Sequence, residues 1–156
     1  MSQEIVVIAC GVVFASLDSQ EIVVTACEID IMEWVGRKPL EALGTLHGPG
    51  YFGDHGCGGS LIASEPFSND WHEFSICWKP GQISWQVDGE TYFTATAKDV
   101  EPNAWVYDQP FYLLLNLAVG GNLGGELDPD LPASNKLLVD YVRVYVFEGF
   151  GEVFRV

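Results

Sequence analysis

The sequence predicts an all-β protein built as a two-sheet β-sandwich. Short runs of aromatic and β-branched residues recur along the chain, and turn-forming residues separate them at fairly regular spacing. No segment shows the long apolar period of an amphipathic helix. The 156 residues, of which 48% are hydrophobic, suffice for one sizeable core. We therefore expect a single domain over residues 1–156.

The N-terminal region contains an internal repeat. Residues 2–10 read SQEIVVIAC, and residues 19–27 read SQEIVVTAC. A solenoid needs at least about three such units, so two neighbouring strands are the preferred interpretation. The run from Ile5 to Leu17 is also uncharged like a signal-peptide core, but Glu4 precedes it where a positive charge is expected. The run is shorter than the ~18–20 residues that a membrane span needs.

The next strand, Glu28 to Glu33, carries three carboxylates among apolar residues. On a regular strand Glu28 and Asp30 share one face and Glu33 points to the other. A β-bulge at Ile31-Met32 would shift the alternation by one residue and return Glu33 to the face of the other two acids. We therefore predict a bulged strand with three acids on one face.

The downstream elements follow from alternation and turn signals. Phe74 to Val87 should form a hairpin that turns at Pro80-Gly81, and Asp88-Gly89 should start the next turn. The run Phe111 to Val119 is apolar on both faces, which predicts a central strand covered on both sides. Leu137 to Phe147 should pair nearby, and alternation in the tail permits a further strand.

Three acids at this spacing suit glycoside hydrolysis. The retaining reaction needs one ionised carboxylate and one protonated carboxyl about 5–5.5 Å apart. Crowding should separate the pKa values of the acids, leaving one glutamate as nucleophile and the other as general acid, with Asp30 hydrogen-bonded to Glu28. The alternative is an exposed acidic strand. The interleaved Ile29, Ile31 and Met32 favour the catalytic interpretation.

The sequence resembles glycoside hydrolase family 16, the laminarinase-like β-glucanases, whose signature is E-x-D-x-x-E. The resemblance covers about residues 28–145, and 1–27 are atypical. Further similar blocks follow in the order of the family: GTLHG at 44–48, WHEFSICW at 71–78, ISWQVDG at 83–89, FYLLLNLAVGG at 111–121 and VDYVRVY at 139–145. The resemblance implies a concanavalin-like jelly roll with a concave sheet that holds a sugar cleft.

The resemblance also implies roles for individual residues. Glu28 would be the nucleophile, Glu33 the acid/base and Asp30 the residue that tunes Glu28. His47 would contact substrate, although a lone histidine is more often structural. Asn116 is either a hydrogen-bonded core amide or a cleft residue that contacts sugar hydroxyls. Asp140 matches a ligand of the structural calcium that relatives often bind; the reaction itself needs no cofactor.

The chain departs from the family pattern near its N-terminus. Relatives usually carry a tryptophan-rich strand before the acidic motif, and residues 11–17 lack its tryptophans. Leu123 also stands where relatives often have an aromatic residue. Because aromatic rings cover the apolar faces of sugars in such clefts, the jelly roll and its subsites are expected to be incomplete. The chain is then either a fragment or a shortened variant.

Charge and cysteine content restrict the partners. The chain has 22 Asp and Glu residues and 7 Lys and Arg residues, which gives a net charge of −15. This charge disfavours binding to nucleic acid and to anionic membranes, but not to a neutral polysaccharide. The four cysteines lack metal-binding spacing and are expected to be small core residues. Because large glucans are met outside the cytoplasm, we expect a secreted, monomeric protein.

The sequence leads to two functional hypotheses. The first is a retaining endo-hydrolase of β-glucan, most consistent with β-1,3 linkages. The second is a β-glucan-binding module or impaired fragment that keeps the sandwich without turnover.

Overall fold

The computed structural model describes residues 27–109, 111–127, 129–130 and 134–145. The repeat at residues 2–10 and 19–27 lies outside these ranges apart from Cys27, and so does the predicted tail strand beyond residue 145. In the described ranges, six strands form two antiparallel sheets of three strands each. Within the described ranges, no helix has the length and apolarity needed to cross a bilayer.

The first sheet contains strands β1 (Glu28–Trp34), β2 (Glu41–His47) and β3 (Cys57–Ile62), in that order. β2 is buried at every second residue, which is the alternation of a strand with one covered face. Its core face carries Ala42, Gly44 and Leu46, while Thr45 and His47 point to the opposite face.

The second sheet contains strands β4 (Phe74–Lys79), β5 (Gln82–Val87) and β6 (Glu90–Thr96). Two-residue turns join them, as predicted. Gly81 (φ 70°) lies in the first turn, and the second contains Asp88 (φ 53°) and Gly89 (φ 83°). Positive φ at both central residues is the reason that an Asp-Gly pair suits such a hairpin.

Short helical segments complete the described structure. Three of them are 3₁₀ turns, at Gly53–His55, Phe67–Asn69 and Ala97–Val100. The fourth is a single α-helical turn, α1 (Gly121–Gly124).

The core lies between the two sheets. Ile29 and Leu46 of the first sheet belong to the same buried cluster as Ile83, Trp85 and Ala95 of the second. Glycines allow the sheets to approach: a Cβ on Gly44 would lie 2.3 Å from Cδ1 of Trp85. The predicted all-β, two-sheet sandwich is therefore confirmed.

The predicted central strand at residues 111–119 is wrong. These residues have no strand assignment, and Leu113, Leu115 and Val119 are exposed. Residues 137–145 likewise form no strand in the described structure. An apolar pattern on both faces indicates that a segment is buried on both sides, but it does not identify the elements that pack against it. No described strand pairs with either segment.

The described cysteines agree with the sequence interpretation. Cys27 is fully buried in the core, and Cys57 packs against the same cluster. Cys27, Cys57 and Cys77 are free thiols.

Candidate active site

The predicted bulge is present in β1. Asp30 pairs with Thr45 across the sheet, whereas Glu33 pairs with Leu43, so two residues of β1 oppose the single residue Gly44. The additional residue shifts the alternation after Asp30. Glu33 thereby lies on the same face as Asp30.

Contacts of the side chains support this arrangement. The hydroxyl Oγ1 of Thr45 donates a hydrogen bond of 2.8 Å to Oε2 of Glu33. One carboxylate oxygen of Glu28, one of Asp30 and one ring nitrogen of His47 all lie within 4.8 Å of one another. Because Thr45 and His47 project from the non-core face of β2, the three acids line the outer face of the first sheet.

Asp30 is the buried acid of the group, with 5% of its surface exposed. The pKa of Asp30 is raised to about 7, mainly by burial. Contact with His47 opposes the shift, and the charges of Glu33 and Glu28 add to it. Burial is thus the main cause of the raised pKa, and the crowding expected from the sequence adds to it. Its carboxyl group is partly protonated at neutral pH.

His47 is the partner of Asp30. Its Nε2 lies 3.3 Å from Oδ2 of Asp30, a close contact whose alignment falls short of a full hydrogen bond. The contact with Asp30 raises the pKa of His47, while burial opposes the shift. Nδ1 of His47 is buried without a hydrogen-bond partner among the described residues. The expected hydrogen bond from Asp30 to Glu28 is absent from the described contacts, since Asp30 turns toward His47.

Asn116 and Asp140 do not join this group in the described structure. Asn116 is exposed within the unpaired segment 111–119, so the role in substrate binding stays a prediction. Asp140 is also exposed. Calcium takes six to eight oxygen ligands, and among the described residues Asp140 belongs to no cluster of three acidic, histidine or cysteine ligands. These residues alone do not fit the calcium site.

One described cluster could hold a metal ion, and it coincides with the acids: Glu28, Asp30 and His47. A separate open cavity of about 460 Å³ is lined by Tyr51, Cys57, Phe93 and Val100 among others. It contains none of the three acids. The acids instead line the outer face of the first sheet, where Asp30 is buried and Glu28, Glu33 and His47 are half-buried.

Comparison with known protein families identifies the family of this chain. Residues 9–142 match the family described as Glycosyl hydrolases family 16. The chain belongs to glycosyl hydrolase family 16. The E-x-D-x-x-E motif at Glu28, Asp30 and Glu33 lies within the matched residues.

Family 16 relatives are similar over much of this chain. It is 42% identical over 131 residues to glucan endo-1,3-beta-glucosidase A1 of Niallia circulans, covering 76% of this chain and 19% of that protein. It is 41% identical over 129 residues to a beta-glucanase of Rhodothermus marinus, covering 76% of this chain and 44% of the relative.

A solved family 16 structure is similar as well. The endo-beta-1,3-glucanase of Pyrococcus furiosus superposes with a TM-score of 0.71 at 40% identity, covering 80% of this chain and 49% of that one. The chain thus spans less than half the length of these relatives.

Sequence reasoning missed two residues near the acids. Thr45 and Trp85 belong to the matching blocks GTLHG and ISWQVDG, but the sequence assigns neither of them a role. Trp85 is fully buried, yet its indole N–H donates a 2.8 Å hydrogen bond to the backbone carbonyl of Asp30. The available signal was Gly44, the residue opposite the bulge, whose missing side chain leaves room for a large neighbour.

Proposed function

We propose that this chain is a retaining endo-hydrolase of β-glucan that cuts β-1,3 linkages. The observation that carries the proposal is the register shift between Asp30 and Glu33, which brings Glu33 to the face of Glu28. The membership of family 16 and the names of the relatives, endo-1,3-beta-glucosidases and a beta-glucanase, support the same reaction.

In the first step, Glu33 protonates the glycosidic oxygen while the carboxylate of Glu28 attacks the anomeric carbon. The bond from that carbon to the leaving oxygen breaks, and a glycosyl ester forms on Glu28. In the second step, Glu33 removes a proton from water, whose oxygen attacks the anomeric carbon and releases Glu28. Two inversions at one carbon give net retention of configuration.

Asp30 and His47 support the two glutamates in this proposal. Asp30 lies between their charges, and both charges raise its pKa. A protonated Asp30 can donate a hydrogen bond to a neighbouring carboxylate without adding a third negative charge to the cluster. His47 borders the same face and offers an imidazole to a sugar hydroxyl. Asn116 is proposed as a further substrate contact.

The substrate is proposed to be a neutral, laminarin-type glucan met outside the cell. A net charge of −15 repels anionic polymers but does not oppose a neutral chain. The reaction uses carboxyl groups alone, so activity should need no metal ion.

Reducing-sugar release from laminarin by the purified chain tests the proposal, with Glu28→Gln as the control for contaminating hydrolase. We expect release by the unmodified chain and at least a ~10³-fold loss in the variant, because the nucleophile is removed. Proton NMR of the first product should show the β-anomer before mutarotation. Binding of laminarin without release would instead identify a binding module, and an initial α-anomer would exclude retention.

A further inference from the structure

The bulge that gathers the acids makes a specific contact with the second sheet. Trp85 of β5 lies fully buried beneath β1, and its Nε1–H donates to the carbonyl oxygen of Asp30 over 2.8 Å. This carbonyl lies at the residue where regular pairing with β2 stops. A bulge disrupts the hydrogen-bond ladder locally, so a donor from outside the sheet fixes the backbone where the ladder does not.

Gly44 makes this contact sterically feasible. It faces the core directly opposite the bulge, where two residues of β1 oppose it. A Cβ at Gly44 would lie 2.3 Å from Cδ1 and 2.6 Å from Nε1 of Trp85, and 2.6 Å from the hydroxyl of Tyr92. Real Cβ atoms do not approach so closely, so any side chain at position 44 would displace the indole from the carbonyl.

We propose that Trp85 is a positioning residue for the catalytic acids, holding the bulge through the Asp30 carbonyl in a space that Gly44 leaves open. Asp30 and Glu33 flank the bulge, so a change in its backbone angles moves one carboxyl group relative to the other. Displacements of about 1 Å at reacting groups can cost 10²-fold in rate. The inference rests on the proposed glucanase activity for its kinetic consequence, but its geometric consequence can be measured without that activity.

The structure offers a matched control for Trp85. Trp78 of β4 likewise donates from Nε1 to a backbone carbonyl, that of Tyr107, over 3.0 Å. This contact resembles that of Trp85 in kind and does not involve the bulge. It separates loss of general stability from loss of positioning.

The test compares Trp85→Phe and Gly44→Ala with Trp78→Phe. We expect Trp85→Phe to lower kcat on laminarin by about tenfold or more with KM changed less than about twofold, while Trp78→Phe keeps kcat within about twofold. Gly44→Ala should act like Trp85→Phe, and the double variant should be no worse than the poorer single one, because both remove the same contact.

A second readout does not depend on turnover. The NMR titration of His47 reports its contact with Asp30, and Trp85→Phe should move the pKa of His47 toward the ordinary histidine value while Trp78→Phe leaves it in place. If Trp85→Phe does not fold, benzothienylalanine at position 85 keeps the ring and replaces only the N–H. Failure of the unmodified chain to cleave laminarin would refute the proposed function alone. Unchanged kcat and unchanged His47 titration in the Trp85 variant would refute the positioning role.

Discussion

The hydroxyl of Thr45 donates a 2.8 Å hydrogen bond to Oε2 of Glu33, the residue that the bulge returns to the face of Asp30. Thr45 is at the same time the cross-strand partner of Asp30. One side chain of β2 therefore faces the acids on both sides of the bulge. It fixes a carboxylate that would otherwise rotate freely about its terminal bonds.

Replacing Thr45 with valine should slow the reaction. Valine keeps the β-branched shape but removes the donor, so Glu33 loses the bond that orients it. Hydrogen bonds to charged groups contribute about 1.5–3 kcal/mol, which predicts a fall in kcat of about 10- to 100-fold with little change in KM. Steady-state kinetics on laminarin provide the measurement. Thr45→Ser retains a hydroxyl and should recover most of the rate; equal losses in the two variants would argue against orientation.

Replacing Asp30 with asparagine should stabilise the protein at alkaline pH. The pKa of Asp30 rises from 3.8 to about 7 on folding, so the folded state binds more protons between these values and the stability of the wild type falls as pH rises through them. The raised pKa of His47 acts in the same direction, since its contribution is complete below 6.5 and is lost as pH rises through the folded pKa.

The measurement is the thermal midpoint of wild type and Asp30→Asn between pH 4 and pH 8. The variant should gain several degrees over the wild type at pH 8, since each kcal/mol is worth roughly 2–4 °C, and should lose this advantage near pH 4. Its activity should fall at every pH. A variant that is less stable than the wild type at pH 8 would contradict the burial argument.

Replacing Glu33 with glutamine separates its two roles. The variant cannot protonate a sugar leaving group, so laminarin hydrolysis should fall by about 10²–10⁴-fold. A β-glucan oligosaccharide bearing an activated aryl leaving group needs no protonation, so its first step should survive. Stopped-flow measurement should show a burst of the aryl product followed by slow turnover, because the general base for the second step is also missing. Equal losses on both substrates would reassign the acid/base.

The sequence predicted those features that depend on local pattern. Alternation predicted the hairpin of β4 and β5, and the Asp88-Gly89 pair predicted the turn that follows it; both are present. The acidic spacing predicted the bulge at Ile31-Met32, because only an extra residue brings Glu28, Asp30 and Glu33 to one face.

Features that depend on distant neighbours were not predictable in this way. The apolar run 111–119 indicated a covered strand, but the described structure supplies no strand to pair with it. Thr45 and Trp85 contact β1 through hydrogen bonds that span 12 and 55 residues. Neither hydrogen bond can be predicted from the sequence until the register of β1 and β2 is known.

The most direct test of the account is covalent trapping of the glycosyl-enzyme. The reagent is a β-1,3-linked glucan oligosaccharide with fluorine at C2 of the reacting sugar and a good leaving group. The fluorine destabilises the transition states of both steps, but the leaving group keeps the first step fast enough to proceed. The glycosyl ester therefore accumulates. Proteolysis and mass spectrometry of the trapped protein should place one sugar adduct on Glu28. An adduct on Glu33, or hydrolysis of laminarin with no adduct on Glu28, would contradict the assignment of the three acids.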